Sequence, residues 1–463
     1  MQPAPNQFAL LRTRRFLPLF LVQFLGAFND QVYQKAFVAL LTYRLADQLE
    51  TPLAMLGVIA SALFILPFAV VTPTAGQIAD RMDKARMMKW VKAWEIVVMA
   101  LAVVGFHAQN ILFLYFVLFL MGAQSAMFAP VKYAVLPQYL RPGELMGGNG
   151  LVQAFTFLAI IFGSIAGNEL ILTDAGVTVV SVFVVAVAVA GFAASLFAPP
   201  APPQGPAPAV DPVFPRAIWR LIADCRKVVP AFRAVRFIAW FWFLGATFLS
   251  LLPAYAREHL AADESVLTVL LTAFSVGVAI GALMSSRLNG GTVGIRVSPW
   301  GAVGIAALSA ELWFATQAIS PPAGGALMSR GDFFADPAGW RILIDFAALA
   351  ACAGLYVTPL NAILQVEAPE GRRARFIACS NVVDAAAMVA SAGAVAVCVA
   401  LGMTAADVLA LFGLTGLLIA PLAARHAPGT AFGRVARRLL GAPKGAAHAG
   451  RPDGPRSAPE GGA

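Results

Sequence analysis

Phe24-Leu25-Gly26-Ala27-Phe28-Asn29-Asp30-Gln31 and Phe243-Leu244-Gly245-Ala246-Thr247-Phe248-Leu249-Ser250 open alike and then part. Two further pairs recur in the same order behind them. Gly76-Gln77-Ile78-Ala79-Asp80-Arg81 has a degraded echo in Gly281-Ala282-Leu283-Met284-Ser285-Ser286-Arg287. Pro130-Val131-Lys132-Tyr133-Ala134-Val135-Leu136 parallels Pro359-Leu360-Asn361-Ala362-Ile363-Leu364. Three matches in one order favour two copies of one unit with a path between them. The first match is informative where it ends: polar residues follow in one copy and apolar ones in the other. A cavity between the copies is therefore expected to be charged on one wall and apolar on the other.

Around these tracts the chain is poor in charge. Charged residues make up 12% of the 463 and hydrophobic ones 59%, with a mean hydropathy of +0.77, whereas soluble domains carry roughly 25% charge. So little charge cannot cover a water-facing surface. Apolar runs of about 18 residues or more, enough to cross roughly 30 Å of hydrocarbon as helix, recur throughout. They predict an all-α membrane protein with about 12 transmembrane helices in two six-helix halves. The first bundle, 16–198, holds spans 16–43, 53–79, 90–106, 111–136, 149–172 and 176–198. The second, 236–424, holds 236–255, 265–287, 298–319, 341–364, 376–401 and 405–424. Residues 1–15 form an N-terminal tail. The linker, 199–235, opens as a Pro-rich extended stretch and ends as an amphipathic one suited to a membrane surface. Residues 425–463, rich in Arg, Gly, Ala and Pro, are expected to be disordered.

Lysine and arginine mark the two sides of the membrane. With the N-terminus inside, 27 of the 33 fall on the cytoplasmic side and only Arg44, Arg257, Arg330 and Arg341 fall outside; Lys35 and Lys132 lie within spans. Both termini are expected in the cytoplasm, and the chain is read as a multi-pass protein of the bacterial inner membrane. The formal charge of +9 is then topological and implies no nucleic-acid partner. Cys225, Cys352, Cys379 and Cys398 form no CxxC pair, and the histidines at 107, 259, 426 and 448 are scattered. No metal site and no organic cofactor are expected.

Ionisable groups at mid-membrane cost about 2.5–3.5 kcal/mol each on insertion scales, so those present are candidates for function. Span 1 holds Gln23, Asn29, Asp30, Gln31, Gln34 and Lys35. At roughly 100° per residue, Gln23, Asp30 and Gln34 share a face, with Gln31 and Lys35 beside it. Asp30 is the candidate for the coupling ion, binding H+ as an acid or Na+ together with Asn29. Lys132, flanked by Tyr133, is the candidate for a phosphate. Asp30 paired with Lys35 or Lys132, and Lys132 snorkelling to the interface, are the structural alternatives. Asn149 and Gln153 in one half and Asn381 and Asp384 in the other occupy corresponding places, as substrate contacts or as polar glue. Glu95 and Glu311 are ambiguous, and Glu311 is not expected to bind substrate.

The tract after span 2 resembles the signature of the major facilitator superfamily, a glycine, an Asp-Arg pair and a basic cluster. Gly76, Asp80, Arg81, Lys84 and Arg86 match, and Asp83 stands where that family usually has glycine. The resemblance implies a gate. The glycine lets span 2 pack closely on the other half, and Asp80 with the arginines latches the cytoplasmic end; an ordinary charged loop is the alternative. Three segments, Arg15 to Asp30, Phe128 to Pro137 and Gly147 to Gln153, resemble the bacterial lysophospholipid transporters. Trp240 to Ser250 resembles the branch of that family often fused to an acyltransferase. Family members carry a lysine four residues after the Asp; here that place holds Gln34 and the lysine is Lys35. The resemblance implies a secondary transporter and not an enzyme. It would flip lysophospholipid, such as lysophosphatidylethanolamine, across the inner membrane for reacylation by alternating access. A separate acyltransferase or acyl-carrier-protein ligase would be its partner. A generic exporter of amphipathic drugs or metabolites remains open beside it. So does a non-transporting scaffold that docks an acyltransferase, although a scaffold has no need of the charges in span 1.

Overall fold

The computed structural model describes residues 6–45, 53–206, 209–211, 213–319, 327–427 and 430–440. One half comprises α1 (Leu17–Tyr43), α2 (Leu53–Val70), α3 (Thr72–Arg81), α4 (Lys84–Ala108), α5 (Ile111–Tyr139), α6 (Leu145–Leu172) and α7 (Gly176–Leu196). Helix α8 (Phe214–Lys227) lies in the linker. The other half comprises α9 (Val229–Glu258), α10 (Glu264–Leu288), α11 (Ser298–Ala318), the short α12 (Arg330–Ala335), α13 (Pro337–Glu367), α14 (Arg373–Ala400), α15 (Ala405–Leu414) and α16 (Gly416–Ala424). Helix α17 (Ala431–Leu440) follows.

Among the described residues, nine helical segments are long and apolar enough to cross a membrane, counting α15 with α16 as one. Helices α2 and α3 form a tenth, bent by 44° at their junction. The bend follows from Pro67 and Pro73 on either side of it, each of which removes a backbone donor from the helix ladder. Helices α1 and α11 have the length to span, 27 and 21 residues, and are diluted by polar side chains. They complete the twelve.

Packing divides along the membrane normal. One core cluster joins both halves at the end rich in Lys and Arg, from Phe16 and Leu19 on α1 to Ala374, Phe376 and Ile377 on α14. At the opposite end each half keeps its own core: Val32, Phe37, Phe106 and Leu118 in one, Phe248, Tyr255, Leu270 and Phe346 in the other. The molecule is thus closed between its halves at the basic end.

Three expectations change. Helix α9 begins at Val229, so its first two turns lie in what reads as linker. Lys92, which the count of basic residues places on the cytoplasmic side, is fully buried within α4 beside Glu95. The tail is not wholly disordered, because α17 folds back on α16 with Ala436 buried and Arg434 and Arg438 exposed. Its apolar and basic residues alternate at helical spacing, which composition alone hides. Residues 441–463 of the expected tail lie outside the described residues.

Candidate substrate path and gate

The basic end is closed by three contacts between the halves. Asp80, at the end of α3, accepts hydrogen bonds from the Ala374 and Arg375 backbone N–H groups at 2.9 and 3.1 Å, and Arg375 Nε lies 3.7 Å away. The carboxylate therefore caps the first turn of α14, where unpaired N–H groups and the helix dipole favour an anion. Gly76 allows the approach: a Cβ there would lie 2.6 Å from Ala378 Cβ and 2.8 Å from Ala374 O. Asn149 on α6 and Gln365 on α13 form a buried reciprocal amide pair, Asn149 Nδ2 donating to Gln365 Oε1 (3.0 Å) and Gln365 Nε2 donating to Asn149 Oδ1 (2.7 Å). Gln7 Nε2 adds a bond to Leu283 O at 3.0 Å.

The expected latch is thereby divided. Asp80 and Gly76 touch the other half, and Lys84 is buried near Asp80. Arg81 and Arg86 are exposed. Asp83 works within its own half, where its side chain caps α4 through Arg86 N and accepts from Ala201 N, tying the start of the linker to this loop.

Inside the first half runs a chain of buried polar contacts. Lys92 Nζ lies 2.5 Å from Glu95 Oε2, with both side chains out of contact with solvent. Glu95 also accepts from Asn29 Nδ2 (3.0 Å) and Gln124 Nε2 (3.0 Å). Next to Gln124, Ser125 Oγ donates to Asp30 Oδ2 at 2.5 Å. Gly26 makes room for this, because a Cβ there would sit 2.5 Å from Lys92 Nζ. Asp30 is thus held from α5, and the charged groups that face it are Glu95, Lys92 and Lys132. Lys132 Nζ stands 4.9 Å from the Tyr133 ring centre and faces Asp30.

Lys35 does not join this group. Five residues at about 100° each turn it roughly 140° from Asp30, and its Cβ packs toward Gly167 on α6. Gln23 and Gln31 also serve the α1–α6 contact, accepting from Thr156 (2.8 Å) and Ser164 (3.3 Å). Gln34 is buried. Glu311 pairs with Arg341 between α11 and α13, at a half-exposed place.

Two adjoining cavities lie between the halves and in the second half. The first is lined by Tyr133, Gln153, Trp242, Asn361, Asn381 and Asp384 among others. Tyr133 Oη donates to Gln153 Oε1 (3.2 Å), and Ser380 Oγ donates to Asp384 Oδ2 (3.2 Å). Asp384 Oδ1 and Asn381 Nδ2 are buried without a hydrogen-bond partner. The second is narrow and apolar, lined by Phe241, Leu244, Gly245, Phe248, Phe274, Ile305, Leu349 and Ala353. Phe241 belongs to both. The structure thus gathers Tyr133, Gln153, Asn381 and Asp384 in one place; Lys132 stands next to Tyr133 with Asp30 facing it, and neither lines the two cavities. Asn361 had a signal in the sequence, since the repeat sets it opposite Lys132. Lys92, Gln124 and Ser125 had none beyond their polarity.

A family model described as Major Facilitator Superfamily matches residues 19–392. A lysophospholipid transporter of Serratia proteamaculans (strain 568) is 27% identical over 375 residues, covering 79% of this chain and 83% of that protein. One of Pectobacterium carotovorum subsp. carotovorum (strain PC1) is 27% identical over 406 residues, covering 85% and 89%. Among solved structures, the major facilitator transporter FucP in its outward conformation aligns with a TM-score of 0.63 at 15% identity, over 89% of this chain and 99% of that one. A bacterial homologue of the iron transporter ferroportin, in an outward-facing state, aligns at 0.61 and 14%, over 88% and 98%. At such identities the likeness to these two is one of fold.

Proposed function

This chain belongs to the Major Facilitator Superfamily, and we propose that it is a secondary transporter moving lysophospholipid across the bacterial inner membrane by alternating access. The observation that carries the reading is the pair of cavities meeting at Phe241, one polar and one apolar. A lysophospholipid has the same division, a charged head and one acyl chain. The head is assigned to the polar cavity, where Asp384 Oδ1 is a spare acceptor for an ammonium and Asn381 Nδ2 a spare donor for a phosphate. Lys132 stands beside Tyr133 at the edge of that cavity. The acyl chain is assigned to the apolar residues Phe241, Leu244, Phe248 and Phe274, between which the narrow second cavity would have to widen. The names of the relatives from Serratia and Pectobacterium support the same substrate class.

In the cycle, the state with the halves closed at the basic end admits lipid from the opposite side. Breaking the Asp80 cap and the Asn149–Gln365 pair then opens the basic end, which by the distribution of Lys and Arg is the cytoplasmic one. Asp30 is the group whose charge follows the coupling ion, H+ or Na+. Reacylation falls to a separate acyltransferase or acyl-carrier-protein ligase. The test is uptake of labelled lysophosphatidylethanolamine by vesicles containing the purified protein, with proton and sodium gradients imposed in turn. Gradient-dependent uptake is expected. Transport of an amphipathic dye with no uptake of lysophospholipid would establish the generic exporter instead.

A further inference from the structure

Away from both cavities, at the basic end of α9, α16 and α17, a second group of charges gathers. After α16 the chain turns through Arg425-His426-Ala427 and returns as α17. Thr430 fixes the return: its Oγ1 accepts from Gly433 N (2.9 Å) and donates to Ala427 O (2.9 Å). Phe432 rests on Trp300 with ring centres 5.3 Å apart. Arg233 Nη1 contacts His426 Nδ1 at 2.6 Å, and Arg236, Arg425 and Arg437 face the same imidazole. Burial and then these arginines push His426 down to about 4, so at neutral pH the ring is an uncharged acceptor for Arg233. The carboxylate facing Arg233 is the exposed Glu367. Among the described residues no carboxylate lies within ion-pair distance of Arg233, Arg236 or Arg437. Arg437 Nε is buried with no hydrogen-bond partner. These three guanidiniums are therefore assembled about a neutral ring with no carboxylate at ion-pair distance among the described residues, and one of their donors is buried and unused. Beside them Trp300, Val435 and Leu439 stand exposed.

We propose that the guanidiniums of Arg233 and Arg236 on α9 and Arg437 on α17, gathered about His426, bind the phosphate of an anionic phospholipid, whose acyl chains lie along Trp300 and Val435. Guanidinium forks match phosphate oxygens two at a time, and basic pockets at this side of membrane proteins suit acidic headgroups. A structural lipid here would supply the missing negative charge, satisfy Arg437 Nε and hold α17 in place. None of these residues lines the cavity assigned to transport, so the inference stands or falls apart from that reading.

The full chain in detergent is mixed with phosphatidylglycerol or phosphatidylcholine, and lipid retention is read by native mass spectrometry. The parent should retain phosphatidylglycerol in preference. Arg233→Gln combined with Arg437→Gln should weaken that retention about tenfold while leaving phosphatidylcholine unaffected. Arg437→Lys keeps the charge but loses the fork. It should bind about threefold more weakly, and it serves if the double variant does not fold. Inorganic phosphate at equal concentration should not displace the lipid. Equal retention by parent and variants, equal retention of the two lipids by the parent, or displacement by inorganic phosphate would each overturn the proposal.

Discussion

Asp80→Asn changes one oxygen into an amide and should unlatch the basic end. In the closed state the carboxylate accepts from two backbone N–H groups of α14, at 2.9 and 3.1 Å. Asparagine keeps one acceptor and presents a donor to the second N–H. The loss is one hydrogen bond to a charged group, about 1.5–3 kcal/mol, together with about 0.3–1 kcal/mol of attraction to the helix N-terminus. Taking the lower part of that range, about 2 kcal/mol, the ratio of closed to open molecules falls roughly thirtyfold. Cys379 reports it, being buried on α14 next to Ala378, which meets Gly76. With Cys225, Cys352 and Cys398 replaced by serine, maleimide labelling of Cys379 should rise at least about tenfold in the variant. Gly76→Ala should act in the same direction without touching charge, since its Cβ would press on Ala378 and Ala374 at an overpacking cost of about 1–3 kcal/mol. Arg81→Ala, at an exposed position, should leave labelling as in the parent. Parent-like labelling in both Asp80→Asn and Gly76→Ala would show that these contacts do not hold the gate.

Three further outcomes are expected. Glu95→Ala strands the Lys92 ammonium and the Asn29 and Gln124 amides in a buried site, and should lower thermal stability by about 3–5 kcal/mol. Lys92→Met leaves Glu95 with two amide donors and should cost less; the reverse order in thermal unfolding would mean that the network is not as described. Asn149→Ala leaves Gln365 unpaired at about 1–3 kcal/mol and should also raise Cys379 labelling, and Asn149→Ala with Gln365→Ala should come out less than additive. Asp30→Asn should abolish gradient-driven accumulation of lysophospholipid while keeping exchange if the coupling ion is H+, and lose both if it is Na+. Accumulation like the parent under every gradient would make Asp30 structural.

The bundle was legible because its cause is local. Length and apolarity mark a span whatever it packs against. Gly76 and Asp80 stood out through the resemblance to the superfamily signature, whereas their contacts with α14 needed the structure. What escaped depends on partners far along the chain. Lys92 sits two turns into α4, and from its position alone it belongs equally to a basic loop; only Glu95, one turn on, with Asn29 and Gln124 from two other helices, makes it an interior charge. Lys35 misled in the opposite direction, since it is ionisable and near Asp30 in sequence but points to α6. The helix α17 was hidden by a tail whose Gly, Ala and Pro content dominates its composition.

Around the cavities, polar groups with partners and polar groups without them play different parts. Lys92, Glu95, Gln124 and Ser125 already have partners within the first half, and a ligand taking their place would have to break buried bonds that cost more to lose than to leave alone. Such a network fixes geometry. Asp30 Oδ1, Asp384 Oδ1 and Asn381 Nδ2 are different, because they are buried and unpaired, and an unpaired buried polar atom raises the energy of the state that contains it until something binds. Two of them face one cavity from α14 and the third stands on α1 across the path. Under the proposed function, a zwitterionic head with a coupling ion would offer the complementary set and stabilise a state that the empty protein holds at a cost. Under the proposed cycle, the network behind Asp30 would stay fixed within the first half while α14 moved away from Asp80 and Gly76.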